Sequence, residues 1–133
     1  MLKPVILAMF AAVSFPAMAW ACGKPPNHAD EKDRIHAELL ETENEMQGRE
    51  VGGKLWRIWT TAPDQTAQKM LDRGRERIRL ADYETAETVL SELIEYCPVY
   101  AEGWNQRAFV RFLCQDYGRA LADIEARWFH PSA

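Results

Sequence analysis

The sequence predicts an all-α protein of about six short helices that pack as antiparallel pairs. Apolar residues recur at helical spacings through most of the chain, and no segment alternates with period two over a useful length. The pattern D-Y-x-x-A-x-x-x-(Leu/Ile) also occurs twice, starting at Asp82 and again 34 residues later at Asp116. A recurrence at this interval indicates that one structural unit is written twice.

The N-terminus is typical of a secretory signal peptide. Lys3 precedes an apolar run at 5–15, and Ala17 and Ala19 occupy the small-residue positions of a cleavage site. The run is shorter than the ~20 residues that span a membrane. We therefore expect a signal peptide at 1–19, export to the periplasm or the medium, and no membrane insertion after cleavage.

Two other interpretations of this N-terminus remain open. The apolar run is also compatible with an uncleaved N-terminal anchor. Cleavage after Ala21 would instead make Cys22 a lipid-modified first residue. The lipoprotein signal normally has leucine three residues before that cysteine, and this chain has Ala19 there. Cleavage after Ala19 is therefore the preferred interpretation.

Six helices are predicted in the mature chain. Residues 20–29 contain glycine and proline without periodicity and are predicted to form a flexible tail. Gly48 is expected to end the first helix, and Pro98 the fourth, because a proline ring cannot continue the helical hydrogen bonds. The predicted helices cover about 30–47, 50–60, 64–80, 83–96, 101–114 and 117–129.

The second half of the chain fits one register when Ala67 and Ala101 are each counted as position 1. Small residues then fall at positions 8 and 20 of both units, tyrosine at position 17, and leucine or isoleucine at position 24. In this register the chain resembles the tetratricopeptide repeat (TPR), a 34-residue unit of two helices. The matched residues are Gly74, Tyr83, Ala86, Leu90, Pro98, Trp104, Ala108, Tyr117, Ala120 and Ile124.

The resemblance implies an antiparallel helix-pair solenoid and a role for each matched residue type. The small residues let the two helices of a unit approach closely, and the tyrosines fill the corner after the turn. Trp104 is expected to pack one unit onto the previous one. The chain departs from the family at positions 7 and 11, where Leu and Tyr are usual and both units have arginine, at Arg73, Arg77, Arg107 and Arg111.

The resemblance covers about 67–131 and suggests how the chain is divided. Residues 30–62 carry no marker residues and are expected to form a capping or degenerate helix pair. Residues 63–133 are expected to form two repeats, at about 67–100 and 101–133. The chain is similar to small exported bacterial TPR proteins, in which a helical segment precedes the repeats.

Proteins of this type usually bind an extended peptide or a helix along a concave face. Positions 2, 5, 9, 12 and 13 of each first helix form that face, here Gln68, Leu71, Arg75, Ile78, Arg79, Glu102, Asn105, Phe109, Phe112 and Leu113. The resemblance therefore implies a protein-binding site at Arg75, Arg79, Asn105, Phe109 and Phe112 that grips a carboxylate and an apolar side chain together. The alternative is that the arginines are solvated and the phenylalanines belong to the core.

Two further surfaces have open interpretations. The basic run at 73–79 splits over two helix faces and is predicted to be salt-bridged surface, with anion binding as the alternative. The C-terminal end has Trp128 and Phe129 and no polar cap, although stacked repeats need one. Either these aromatic residues fold inward, or the end docks on a partner or a second copy, or the repeat array is truncated.

Three cysteines remain in the mature chain, and an odd number cannot pair completely within one molecule. Cys97 and Cys114 lie at opposite ends of one predicted helix, roughly 20 Å apart at 1.5 Å per residue, so a disulfide between them is not expected. Cys22 on the tail could reach either of them or another molecule. We expect free buried thiols at Cys97 and Cys114.

No catalytic or cofactor-binding constellation is found in the sequence. The histidines have no zinc-ligand spacing, and neither a serine nucleophile elbow nor a glycine-rich phosphate loop is present. The net charge of −4 argues against a nucleic-acid partner, whose backbone demands a basic footprint. The prediction is a protein that is not an enzyme, has no cofactor, and binds another protein or self-associates.

Overall fold

A computed structural model describes residues 21–23 and 26–129, with side chains as far as residue 126. Within these residues the chain forms helices and no strand, which confirms the predicted all-α class. The predicted signal peptide lies outside the described residues. The helices are α1 (Ala29–Leu40), α2 (Glu45–Trp59), α3 (Gln65–Arg79), α4 (Tyr83–Tyr96), α5 (Ala101–Leu113) and α6 (Tyr117–Phe129).

The predicted first helix over 30–47, with a break at Gly48, is wrong. The chain turns at 41–44, and α2 begins before Gly48 because Asn44 caps it. The Asn44 side chain accepts a hydrogen bond from the backbone N–H of Gln47 at 3.0 Å, and the Gln47 side chain accepts one from the N–H of Glu43 at 2.9 Å. Such a cap stabilises a helix by about 1 kcal/mol, which offsets the similar cost of a glycine in its first turns.

The duplicated D-Y pattern is the same turn at two places in the chain. The Asp82 carboxylate accepts a hydrogen bond from the N–H of Thr85, and the Asp116 carboxylate accepts one from the N–H of Arg119. Hydrogen bonds from Thr85 hold the pKa of Asp82 below its usual value, and those from Arg119 do the same for Asp116. The residue before each aspartate has a left-handed backbone, with φ of 57° at Ala81 and 62° at Gln115.

Helices of the repeat region pack in chain order. α3 packs on α4, α5 packs on α6, and α4 packs on α5, which is consistent with the predicted helical-repeat solenoid. Val110 from α5 is fully buried with residues of α3 and α4, so one core joins the two units. The fully buried apolar residues of this core are Ala67, Leu71, Ala86, Leu90, Leu93, Cys97 and Val110.

Gly74 marks the closest approach of α3 and α4. A Cβ atom at this position would lie 2.7 Å from Leu90 Cδ2 and 2.8 Å from Leu90 Cγ. Leu90 is completely buried, so its side chain has no space into which it can move. The small residue at this repeat position is therefore required by the contact between the two helices.

Replacing Gly74 with alanine is expected to lower the free energy of unfolding by about 1–3 kcal/mol, because the added methyl group overpacks the core. Gly118 is the matched control, since a Cβ atom there would have nothing within 4 Å. Gly118→Ala should raise the free energy of unfolding by about 0.5–1 kcal/mol through helix propensity. Urea unfolding followed by circular dichroism measures both variants. Equal effects of the two substitutions would contradict the described packing.

The N-terminal helix pair has a small core of its own. Ile35 of α1 packs with Val51, Leu55 and Ile58 of α2. This cluster is separate from the core of the repeats, so the pair depends on other links to hold its place. One link is the Tyr100 hydroxyl, which donates a hydrogen bond to the backbone oxygen of Trp59 at 3.2 Å.

A disulfide between Cys22 and Cys97 provides a second link. Cys97 is the C-cap of α4, and both sulfur atoms lie in the repeat core. The expectation of free buried thiols at Cys97 and Cys114 is therefore wrong, because Cys97 is oxidised and Cys114 is exposed. The expectation that Cys97 and Cys114 do not pair is confirmed. The bond ties the chain that precedes α1 to the end of α4.

Candidate functional site

The five residues predicted to bind a protein line two adjoining cavities along α3, α5 and α6. The first cavity has a volume of about 430 Å³ and is lined by Trp56, Arg75, Ile78, Arg79, Asn105, Gln106 and Phe109. The second has a volume of about 370 Å³ and is lined by Asn105, Ala108, Phe109, Phe112, Tyr117, Ala120, Leu121 and Ile124. Asn105 and Phe109 belong to both cavities, which together are called the groove below.

Not every residue mapped to the concave face lies in the groove. Leu71 and Glu102 are buried, and the Gln68 side chain forms hydrogen bonds at the start of α3. The Gln68 carbonyl oxygen accepts a hydrogen bond from the N–H of Ala62, while its amide donates to Asp72. The mapping is therefore wrong for Leu71, which is completely buried in the core that α3 shares with α4 and α5.

One end of the groove is cationic and aromatic. The guanidinium of Arg75 lies over the ring of Trp56, at 6.0 Å from the ring centroid. No carboxylate of the described residues lies within 4 Å of Arg75. Arg79 differs, since it pairs with Glu76 through Nε at 2.8 Å and Nη2 at 2.5 Å. The prediction of salt-bridged surface thus holds for Arg79, and Arg75 keeps an uncompensated charge at the groove.

The other end of the groove is apolar and open. Phe109, Phe112 and Leu121 are 47%, 57% and 58% exposed, respectively. The rings of Phe112 and Tyr117 pack against each other at a tilt of 59°, with centroids 5.6 Å apart. The alternative in which the phenylalanines belong to the core is therefore wrong. This end offers large apolar side chains to a ligand.

A buried carboxylate fixes the polar side chains between the two ends. Glu102 at the start of α5 accepts a hydrogen bond from Gln106 Nε2 at 2.6 Å and another from Asn105 Nδ2 at 3.1 Å. Nearby, burial raises the pKa of the Tyr100 hydroxyl, which keeps its proton and its bond to Trp59. The bonds to Glu102 hold the two amides that line the groove in fixed positions.

A second buried network holds the α6 wall of the groove. Arg107 donates to both oxygens of Asp123, at 3.0 Å from Nε and 2.7 Å from Nη2. Arg111 pairs with Asp123 at 2.8 Å and with Glu87 of α4 at 2.9 Å. These are the arginines at repeat positions 7 and 11, where the family prefers Leu and Tyr. In this unit they replace an apolar contact with an ionic one that joins α4, α5 and α6.

The first repeat unit has the same arginines without the same network. Position 23 is Val89 there, where the second unit has Asp123. Arg77 instead pairs with Asp82 at 3.4 Å, and Arg73 is exposed. The two units therefore share the departure in sequence and differ in what it does. Sequence reasoning missed Asp123 because an aspartate on an exposed-looking helix gives no signal of burial.

The remaining repeat-marker residues take the following places. Ala86, Ala108 and Ala120 are buried between helices. Trp104 donates a hydrogen bond from Nε1 to the backbone oxygen of Pro98 at 2.9 Å, which joins the second unit to the first. Tyr83 packs against the core, while Tyr117 is mostly exposed and lines the groove.

Sequence reasoning also missed Trp56, which forms a wall of the groove. Trp56 belongs to α2, in a segment with no repeat register, so no concave position was assigned to it. An aromatic residue at the end of a helix that precedes a repeat array is the available signal.

Among the described residues, no helix is long and apolar enough to cross a membrane, and no cluster of acidic, histidine or cysteine side chains is arranged to hold a metal ion.

The described helices form an all-α helical-repeat protein, and its groove is an open surface of apolar, amide and arginine side chains. A TPR repeat-containing protein of Rhizobium etli is 24% identical to it over 93 residues. The match covers 70% of this chain and 46% of the relative, so the chain spans about half of the relative's length. No family model and no solved structure matches. The relative confirms the predicted resemblance to TPR proteins.

Proposed function

We propose that this protein is an exported TPR-type scaffold that binds another protein or peptide in the groove and catalyses no reaction. The observation that carries the proposal is the row of exposed apolar side chains in the groove, beside the unpaired Arg75. Contiguous exposed apolar surface of this kind marks interaction sites in soluble proteins. The TPR relative and the prearranged amides of the groove also support it.

Export to the periplasm or the medium belongs to the same proposal. The N-terminal sequence at 1–19 has the order of charge, apolar run and small residues of a signal peptide. The disulfide between Cys22 and Cys97 supports an oxidising compartment, because such bonds are rare in the reducing cytosol. This part of the proposal is tested by asking whether a bacterial host removes the first 19 residues by proteolysis.

The groove is tested by capture of partners from a periplasmic extract on immobilised residues 20–133. The double substitution Arg75→Ala and Phe109→Ala should reduce the captured partner at least about tenfold, because arginine and aromatic side chains dominate binding at interfaces. Arg73→Ala with Leu40→Ala is the matched control, since both residues are exposed outside the groove. If both double variants capture the same proteins as the unmodified chain, the groove is not the binding site.

A second candidate is an assembly role through the last helix pair. Its support is the exposure of Phe112, Leu121 and Ile124, which form an apolar surface on α5 and α6. The sequence predicts this role for Trp128 and Phe129, whose side chains lie outside the described residues. A dimer in sedimentation equilibrium that Leu121→Asp dissociates would favour assembly over capture of a different protein.

A further inference from the structure

We propose that the groove selects protein segments that carry a carboxylate beside an apolar side chain, and that Trp56 and Arg75 together bind the carboxylate. This inference rests on the proposed function and specifies its ligand. It also assigns a specificity-determining role to Trp56, a residue outside the repeats.

Arg75 is the arginine of the groove without a counter-ion. Its neighbour Arg79 is paired with Glu76, and the arginines behind the groove at Arg107 and Arg111 share Asp123. Arg75 is only partly exposed and still has no carboxylate within 4 Å among the described residues. A guanidinium in this state has unused donors for a ligand.

Trp56 is the aromatic neighbour of that guanidinium. The ring lies below Arg75, so the cation is held over the aromatic face. A guanidinium beside an aromatic ring keeps N–H donors free at its edge, and their planar arrangement matches the two oxygens of a carboxylate. Trp56 is 46% exposed, so its ring also offers an apolar surface to the residue next to that carboxylate.

The charges near this subsite favour a carboxylate over a cation as the ligand group. Arg75 and Arg79 are the only charged residues among those lining the two cavities. The nearby carboxylates are already engaged: Glu76 with Arg79, Glu102 with two amides, and Asp72 with Gln68. None of them is directed to Arg75 within ion-pair distance. A ligand carboxylate therefore meets an unmatched positive charge.

The apolar part of the ligand is expected to lie along the second cavity, because the two cavities adjoin each other. The first cavity contains Ile78 and Phe109 beside the arginines, and Phe109 leads into the second cavity with Phe112 and Leu121. A segment with its carboxylate at Arg75 therefore runs along apolar side chains on one side. The carboxylate can come from an aspartate or glutamate side chain or from a free C-terminus, since both present the same two oxygens.

The subsite joins two parts of the fold. Trp56 lies on α2, while Arg75 lies on α3, and the two helices have separate hydrophobic cores. The hydrogen bond from Tyr100 to the Trp59 backbone and the disulfide of Cys22 hold α2 beside the repeats. The N-terminal helix pair thus acts as one wall of the binding site in addition to being an end of the array.

The test is a selection of random 12-residue peptides, displayed on phage with free C-termini, against oxidised residues 20–133. Selected sequences should be enriched in Asp or Glu next to Leu, Ile, Phe or Trp. The best peptides are then synthesised with a fluorescent label, as free acids and as C-terminal amides, and their binding is measured by anisotropy. Arg75→Gln and Trp56→Ala should each weaken binding about tenfold or more.

Arg73→Gln is the matched control and should leave affinity unchanged, since Arg73 is exposed outside the groove. Loss of binding on amidation would identify a C-terminal carboxylate, and retention would identify a side chain; either result supports the proposal. Circular dichroism of each variant confirms that the fold is intact, as expected for partly exposed positions.

The failure of this inference is distinguishable from the failure of the proposed function. If peptides bind and lose affinity with Phe109→Ala, the groove stands; the carboxylate subsite is then wrong if Arg75→Gln has no effect, or if the peptides show neither acidic enrichment nor loss of binding on amidation. An effect of Arg75→Gln without one of Trp56→Ala would remove Trp56 from the subsite. If no selected peptide depends on Phe109, both the groove and the subsite are contradicted.

Discussion

Asp123→Ala is expected to lower the free energy of unfolding by about 3–5 kcal/mol. The Asp123 side chain is 3% exposed, and its two partners, Arg107 and Arg111, are 14% and 12% exposed. Removal of the carboxylate leaves two largely buried arginines with one ion pair fewer each, since Arg107 keeps only the Ser91 hydroxyl and the Trp104 ring, and Arg111 keeps Glu87. An uncompensated buried charge is costly because it loses both its hydration and its partner.

Urea unfolding followed by fluorescence and circular dichroism measures this effect. Glu45→Ala is the matched control, because Glu45 pairs with Arg49 in a bridge whose side chains are both 79% exposed. Its loss should change stability by less than about 1 kcal/mol, as for exposed ion pairs in general. If Asp123→Ala has as little effect as Glu45→Ala, then the network joining α4, α5 and α6 is not buried as described.

Loss of the disulfide between Cys22 and Cys97 is expected to have the second large effect. The bond closes a loop with a sequence separation of 75 residues, and the chain-entropy relation gives about 4.5 kcal/mol for a loop of this length. Cys22→Ser should therefore lower the free energy of unfolding by about that amount. This is a large share of the ~5–15 kcal/mol by which domains are stable.

Treatment of the unmodified chain with a dithiol reductant should give the same loss as Cys22→Ser, because both remove the same cross-link. Cys114→Ser is the control and should change stability by less than about 0.5 kcal/mol, since Cys114 is exposed and unpaired. Urea midpoints with and without reductant provide the comparison. Equal midpoints in the two conditions would contradict a structural role for the bond.

Much of the fold could be predicted because local patterns and the repeat register agree. The D-Y turn at Asp82 and Asp116, the small residue at Gly74, and the stop at Pro98 each specify a helix boundary or a close contact by themselves. The predicted end of the first helix at Gly48 was wrong for a physical reason. Gly48 is a weak helix breaker, and the capping interaction of Asn44 outweighs it.

The candidate site was less predictable, because it depends on side chains far apart in sequence. The repeat register predicted that Arg75 and Phe109 belong to the site. Leu71 has a concave position in the same register but is buried in the core. Trp56 belongs to a segment that has no repeat register. The pairing of Cys22 with Cys97 was one of several open choices, since chain distance does not determine which cysteines meet. Asp123 gave no signal because its burial is created by Arg107 and Arg111 on another helix.

The central claim is that a partner protein contacts the groove. Site-specific photo-crosslinking in an exporting bacterial host tests it most directly, with p-benzoylphenylalanine at position 109 and, as control, at position 84. Glu84 is exposed on α4, which contributes no residue to either cavity. We predict a crosslinked product with a second protein from position 109 and none from position 84. Equal products from both positions, or no product from position 109, would contradict the claim.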